Sequence, residues 1–243
     1  MSPTPQTSKT KRTIALIVAG ALTLAALGFL SLNFAHAEDA TLVPTAAMDN
    51  PKKPGATQTA VLAGGCFWGM QGVFEHVKGV KQVLSGYSGG SQSAAIYGIV
   101  STGVTGHAES IQITFDPGVI TYGEILRIYF SVAHDPTQLN YQGPDHGTQY
   151  RSEIFYADAT QQKIAGAYIA QLNKSGAFSQ PIVTKVEALT GFYAAEGYHQ
   201  DYLIHNPMSP YIVYNDLPKI ANLKAMFPAQ YREKPVMVTG NPA

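Results

Sequence analysis

Only one cysteine, Cys66, occurs in 243 residues, so no intramolecular disulfide can staple this chain and its fold must rest on a buried core. The thiol follows a short apolar run, Thr59-Ala60-Val61-Leu62-Ala63, and two glycines, Gly64 and Gly65. Beyond it, Phe67, Met70, Phe74 and Val77 recur at helical spacing. This pattern predicts a strand, a tight turn, and a helix over Cys66–Val77 that begins at the sulfur. A cysteine in that position meets unpaired N–H groups and the positive end of the helix dipole, both of which favour the thiolate. An inert, buried cysteine is the competing reading. The motif by itself leaves both open.

The first 37 residues read as a targeting segment. Lys9, Lys11 and Arg12 are basic, and Ile14 to Leu32 is apolar apart from Thr23, Ser31 and the glycines. Ala35-His36-Ala37 fits a small-x-small cleavage site. The expectation for 1–37 is a signal peptide cleaved after Ala37, with an uncleaved membrane anchor through 14–32 as the alternative, since the run is near the lower edge of the ~17–25 residues that span a bilayer. Export follows: a periplasmic or secreted protein, or one held at the inner membrane. An unpaired cysteine in an exported chain signals reactivity.

Removing this segment takes away three basic residues and no acidic ones, which turns a balance of 16 and 16 into a formal net charge of −3. No basic face is available for nucleic acid. Roughly 200 residues remain, enough for one domain with a sizeable core. The stretch 38–58 mixes Pro, Thr, Ala and Lys without periodicity and reads as a linker, 59–230 as the folded domain, and 231–243 as a tail.

Along the domain, Val80–Leu84 reads as a strand closed by a Gly-rich turn, Ser85-Gly86-Tyr87-Ser88-Gly89-Gly90. Ser110–Phe115 alternates as a strand, and Thr121 caps a helix carrying Ile125, Leu126, Ile128, Tyr129 and Val132. A long loop, Asp135 to Thr148, follows. Ser152–Tyr156 and Ile182–Leu189 read as strands, and Thr160–Leu172, Glu196–Leu203 and Pro218–Met226 as helices, the last with Pro at a tolerated first-turn position. The class is α/β (α+β): a mixed β-sheet with packed helices.

Six motifs occur in register: Gly-Cys-Phe-Trp at 65–68, Gly-Tyr-Ser-Gly-Gly at 86–90, Thr-Gly-His-Ala-Glu at 105–109, His-Asp-Pro-Thr-Gln-Leu-Asn at 134–140, Gly-Thr-Gln-Tyr-Arg-Ser at 147–152 and Tyr-His-Gln-Asp-Tyr-Leu at 198–203. Together they resemble the A-type peptide methionine sulfoxide reductases, from about Thr59 to Pro228. The resemblance implies a ferredoxin-like two-layer sandwich with a long coiled C-terminal region and no cofactor. It implies repair of the S-epimer of methionine sulfoxide, free or in peptides and proteins. Cys66 matches the family nucleophile, and Glu109 the acid that protonates the sulfoxide oxygen. To donate near neutral pH, Glu109 must be kept neutral by burial. Tyr97 and Tyr150 match tyrosines whose hydroxyls bind that oxygen, and Asp145 a residue that organises the pocket. Phe67 and Trp68 would form an apolar wall for the S-methyl group. His107 and His199 read as hydrogen-bonded structural residues.

The chain departs from that pattern after Pro210-Tyr211. Ile212 follows where many relatives carry a further cysteine. The oxidised Cys66 must then be reduced by an outside thiol, a thioredoxin-like protein or a small thiol. The loop Ser93-Ala94-Ala95-Ile96 also lacks a proline common before the tyrosine in relatives. The alternative enzyme class is a Cys-dependent peptidase or acyl transferase, which needs a histidine paired to the thiolate. His107, His146 and His199 are the available candidates.

Overall fold

The computed structural model describes Met1 and residues 40–238. The targeting segment read over 1–37, apart from Met1, lies outside the described residues, as do the first two residues of the 38–58 stretch and 239–243 of the tail.

The chain enters through β1 (Gln58–Ala63), turns into α1 (Phe67–Glu75), and returns along β2 (Val80–Ser88). A short α2 (Tyr97–Val100) leads to β3 (Ala108–Phe115). Helix α3 (Tyr122–Ile128) follows, with Thr121 as N-cap in a complete capping box with Glu124. A two-stranded ladder, β4 (Tyr141–Gln142) and β5 (Asp145–His146), interrupts the long loop, and β6 (Glu153–Tyr156) rejoins the sheet. Helix α4 (Ala159–Ser175) is capped by Asp158 and ended by Gly176 in the left-handed region. Then come β7 (Lys185–Ala188), β8 (Phe192–Ala194), α5 (Tyr202–His205) and α6 (Leu217–Met226).

The sheet order is β7-β6-β1-β3-β2-β8, with β6 and β7 parallel and the other pairs antiparallel. Its central four strands, β6-β1-β3-β2, have the ferredoxin-like βαββαβ connectivity, extended by one strand at each edge. Period-two alternation divides the faces. Ala60, Leu62, Ile111, Ile113, Phe115 and Ile154 point into one core with Met70, Val73 and Phe74 of α1, Ile125 and Leu126 of α3, and Ile164 and Tyr168 of α4. Val61, Ala63, Ala108 and Phe155 form a smaller cluster on the other face, under Leu189 and Phe192.

Four expectations differ from what is seen. Strand β2 runs through Ser85-Gly86-Tyr87-Ser88, pairing Tyr87 with Glu109, so the turn is confined to Gly89-Gly90. Gly86 is there because a side chain would collide with the Phe192 ring of β8, not to make a turn. The helix expected over Glu196–Leu203 breaks at Gln200-Asp201. The Gln200 side-chain amide pairs with the backbone of Ser85, and Asp201 turns left-handed at φ 53°. Strand β7 is shorter than Ile182–Leu189, and β8 follows it where no strand was expected. Finally, residues 40–58 lack regular structure up to β1 but are pinned to the body. Thr41 N–H donates to Ser131 C=O, Tyr168 hydroxyl to Pro44 C=O, and Val43 is fully buried.

Candidate active site

Cys66 sits at the N-cap of α1, as the sequence pattern predicts. Gly65 makes the turn at φ +87°, where a side chain would be strained, and a Cβ there would approach Gln142 Cβ to 2.7 Å. Gln142 in turn holds the loop before it: Asp135 N–H donates to its Oε1 at 3.0 Å, and its Nε2 donates to Asp135 C=O at 2.7 Å. The β4–β5 ladder is thereby seated on the turn that presents the sulfur, and it brings Asp145 to the site.

Glu109 reaches the same helix start from β3. Its Oε2 accepts the Phe67 backbone N–H at 3.0 Å. Burial pushes its carboxyl up to about 8, with Asp145 adding to the rise and the Phe67 N–H opposing it. Glu109 is therefore largely neutral at pH 7. Burial also raises the phenols of Tyr97 and Tyr150, with Glu109 reinforcing it in both, so both remain proton donors. Asp145 is raised by burial, and its Oδ2 accepts the Tyr211 hydroxyl.

The thiol departs from expectation. Burial pushes Cys66 well above the usual thiol range; Glu109, Asp216 and Asp145 push the same way, and only the Trp68 N–H opposes them. One helix N-terminus does not outweigh desolvation and three neighbouring carboxyl groups. Burial thus favours the protonated forms of both the Cys66 thiol and the Glu109 carboxyl.

Phe67 is buried between the rings of Tyr87 and His199, with centroids 5.8 and 5.0 Å away. Trp68 is half-buried. It stacks on Tyr202 at 3.7 Å and 11°, meets Tyr211 edge-on at 5.9 Å, and donates its indole N–H to His199 Nδ1 at 3.1 Å. His199 is thus a structural acceptor. His107 latches the Gly-rich turn: its Nδ1 accepts the Gly90 N–H at 3.2 Å, and its Nε2 lies 2.9 Å from the Ser91 carbonyl. His146 stacks on Tyr141. Both ring nitrogens of His107 are therefore committed, and the groups that act on the Cys66 thiol are three carboxyl groups and the Trp68 N–H rather than an imidazole, which disfavours the peptidase alternative.

Sequence reasoning missed three participants. Glu196 accepts the Tyr87 hydroxyl at 2.8 Å and the Tyr97 N–H at 2.9 Å, and so fixes the start of α2. Tyr211 braces Asp145 and Trp68. Asp216 is fully buried, beside Lys219 and against Gly69 of α1. Only Tyr211 carried a signal, through the Pro-Tyr pair at 210–211.

A family model described as "Peptide methionine sulfoxide reductase" matches residues 58–231. The chain is similar to "Peptide methionine sulfoxide reductase MsrA 2" of Mesorhizobium japonicum, 61% identical over 191 residues, covering 79% of this chain and 97% of that protein. It is 53% identical over 178 residues to the protein of that name from Synechocystis, covering 73% and 81%. Among solved structures, reduced Mxr1 from Saccharomyces cerevisiae matches with TM-score 0.57 at 33% identity, covering 70% of this chain and 94% of that one. Methionine sulfoxide reductase A of Corynebacterium diphtheriae matches with TM-score 0.54 at 31% identity, covering 71% and 90%.

Proposed function

The chain belongs to the peptide methionine sulfoxide reductase family, oxidoreductases that return methionine sulfoxide to methionine, and from that premise we infer that Cys66 is its nucleophile and Glu109 its proton donor. The observation that carries this reading is the neutral Glu109 carboxyl held on the Phe67 N–H, beside the thiol at the N-cap of the same helix.

A sulfoxide sulfur accepts a nucleophile only when its oxygen is protonated or strongly hydrogen-bonded. Glu109 supplies the proton, and the hydroxyls of Tyr97 and Tyr150 supply preorganised hydrogen bonds to the same oxygen. As Glu109 protonates the oxygen, the Cys66 thiol loses its own proton and attacks the sulfur. The new S–S bond and the substrate S–O bond then both break as the hydroxyl passes to the Cys66 sulfur, which leaves Cys66 as a sulfenic acid and releases methionine. The proton lost by the thiol restores Glu109, so thiol plus sulfoxide balance sulfenic acid plus thioether. Asp145, braced by Tyr211, supports the pocket, and Phe67 and Trp68 form the apolar wall for the S-methyl group.

No second cysteine exists to capture the sulfenic acid. An external thiol, from a thioredoxin-like protein or a small molecule, condenses with it to a mixed disulfide and water. A second thiol then releases Cys66. The substrates are the S-epimers of methionine sulfoxide in oxidised proteins, peptides and the free amino acid. The basic, apolar and Ala-x-Ala features of residues 1–37 support an exported, periplasmic or secreted enzyme, anchored at the inner membrane if 14–32 is retained.

Epimer-resolved turnover with dithiothreitol tests the assignment: Cys66→Ser abolishes reduction of the S-epimer. One equivalent of substrate without reductant leaves a dimedone-reactive adduct on Cys66. Undiminished turnover in Cys66→Ser would overturn the reading.

A further inference from the structure

Helix α2 is a single turn that brings Tyr97 to the site, and its outer side is apolar and uncovered. Val100 is fully buried beneath it, whereas Ile96 and Ile99, three apart on one side of the turn, are 51% and 42% exposed. A side chain at Gly98 would meet no atom within 4 Å. The turn is nevertheless held in place. The Tyr97 N–H donates to Glu196 Oε1 at 2.9 Å, and the loop after the turn is tied to the segment that carries Tyr150. There the Thr148 hydroxyl donates to Gly103 C=O at 2.6 Å and Gln149 Nε2 to Ser101 C=O at 3.2 Å. A second apolar group adjoins this one. Tyr198 is 65% exposed, and its ring lies 4.2 Å from that of His199, which meets Tyr97 at 4.4 Å and Phe67 at 5.0 Å.

Exposed apolar side chains are gathered on the segments that supply the site. Nine of the thirteen large ones among the described residues lie within 91–107, 136–150 and 197–215. The same segments are almost without charge. The first has no Asp, Glu, Lys or Arg; the second has only Asp145, which accepts the Tyr211 hydroxyl; the third has only Asp201, which is buried and accepts the Val238 N–H. Exposed hydrophobic residues scattered singly need no explanation, but a group of them around one mouth marks a surface that meets a partner.

We propose that this rim docks the apolar residues flanking a methionine sulfoxide in an extended, uncharged polypeptide segment, with Ile96 and Ile99 as its main contacts. The inference rests on the reading of Cys66 and Glu109 as the reducing pair, and it names the substrate class of that site. Continuity identifies the occupant: a sulfoxide whose oxygen is held by Tyr97 is attached to a chain, and that chain must leave past α2. A charged flank would lose water there and find no partner of opposite sign. An apolar flank gains by burial, on a surface that is already ordered. Methionines with apolar neighbours are mostly buried in native proteins and are uncovered when oxidised proteins unfold, so the rim selects unfolded chains.

The experiment measures initial rates of the full chain, with dithiothreitol, on blocked tripeptides that carry the S-sulfoxide of methionine between two Leu, two Ser, two Lys or two Glu residues. Free methionine S-sulfoxide is run beside them. The Leu peptide should exceed the Ser peptide by about tenfold in kcat/KM. The gain should lie in KM, because contacts to the flanks are made equally before and during the reaction. The Lys and Glu peptides should do no better than the Ser peptide. The double variant Ile96→Ser with Ile99→Ser should lower the Leu-to-Ser ratio to about two, and Ile99→Ser alone lowers it part of the way if the double variant does not fold. Equal rates for the Leu and Ser peptides, a preference for charged flanks, or a tenfold ratio kept in the double variant would each overturn the proposal. So would a dimer in sedimentation that the double variant dissolves, since a second copy would then cover α2. If free methionine sulfoxide is reduced while the ratio is near one, the docking proposal alone falls. If neither it nor any peptide is reduced, the assignment of Cys66 and Glu109 falls with it.

Discussion

The Phe67 backbone N–H donates to Glu109 Oε2 at 3.0 Å, joining the start of α1 to a strand residue 42 positions away. The bond opposes the effect of burial. The helix terminus stabilises the carboxylate while desolvation destabilises it, and the balance leaves Glu109 poised near 8. A donor matched to the working pH is what general acid catalysis needs.

Glu109→Gln is therefore expected to slow the first, oxygen-transferring step by about 100-fold or more. In the unsubstituted enzyme, Glu109 carries its proton below its folded value and loses it as pH rises through about 8, so the single-turnover rate should fall across that interval. The variant should lose this descending limb. Rapid-quench measurement of methionine formed between pH 6 and 9 checks both. Equal rates in the two proteins would remove Glu109 from the chemistry.

Tyr97 and Tyr150 come to the site on separate short elements, one tied by its backbone N–H to Glu196 and the other ending the turn before β6. Two donors on one oxygen give partly redundant stabilisation. Each Tyr→Phe variant should lose about tenfold in single-turnover rate, and the pair should lose more than either alone. Substrate affinity should change less than rate, because the hydrogen bonds strengthen as charge develops on oxygen. A double variant no slower than the singles would leave one of the two hydroxyls without a role.

Much of this site was legible because its signals were local. A β-type run, two glycines and a helical period placed Cys66 at a helix start. Thr121 read as a helix cap and is one, with Glu124 completing its capping box. The neutrality demanded of Glu109 was an argument from chemistry, and burial supplies it. What escaped the sequence is made by long-range contacts. Glu196, Tyr211 and Asp216 matter only because folding sets them beside Tyr97, Asp145 and Gly69. Gly86 reads as a turn residue until Phe192 of a distant strand is seen over it. The raised thiol escaped for the same reason. The helix terminus that favours the thiolate is local, whereas the carboxylates that disfavour it come from β3, β5 and the segment before α6.

Stability should fall with pH above about 7. Glu75, at the C-terminal end of α1, is pushed up to about 10 by burial and by Asp201, and Glu109 to about 8. Both ionise near 4.5 in the unfolded chain, so the folded state binds protons that the unfolded state has released. Their contribution is complete below that value and is lost as pH rises to the folded values. The buried His134, pushed down to about 3, and His199 work in the opposite sense, but only below about 6.5. Urea midpoints at pH 7, 8 and 9 should decline, by at most about 1.4 kcal/mol per pH unit for each proton. Glu75→Gln should flatten the decline most clearly between 8 and 9, where Glu109 is completing its titration and Glu75 still holds its proton. A stability that is level from 7 to 9 would contradict the buried, neutral assignment of both carboxyls.

Gly65→Ala separates folding from chemistry at the turn. A methyl at φ +87° is strained, and it would press on Gln142, which anchors both the Asp135 loop and the ladder carrying Asp145. Strain of this kind costs about 1–3 kcal/mol, and for a domain of this size each kcal/mol lowers Tm by about 2–4 °C. The displacement also moves Asp145 and the start of α1 apart, so kcat should fall further than the lost stability explains when activity is assayed well below Tm. Gln142→Gly removes the Cβ and Cγ that a methyl at 65 would meet, and so relieves the collision but not the backbone strain. Combined with Gly65→Ala, it should recover part of the lost Tm without restoring kcat, because the Gln142 bonds to Asp135 are then missing. Scanning calorimetry and steady-state turnover on the two singles and the double variant check the argument, and strictly additive effects on Tm would show that the two residues do not press on each other.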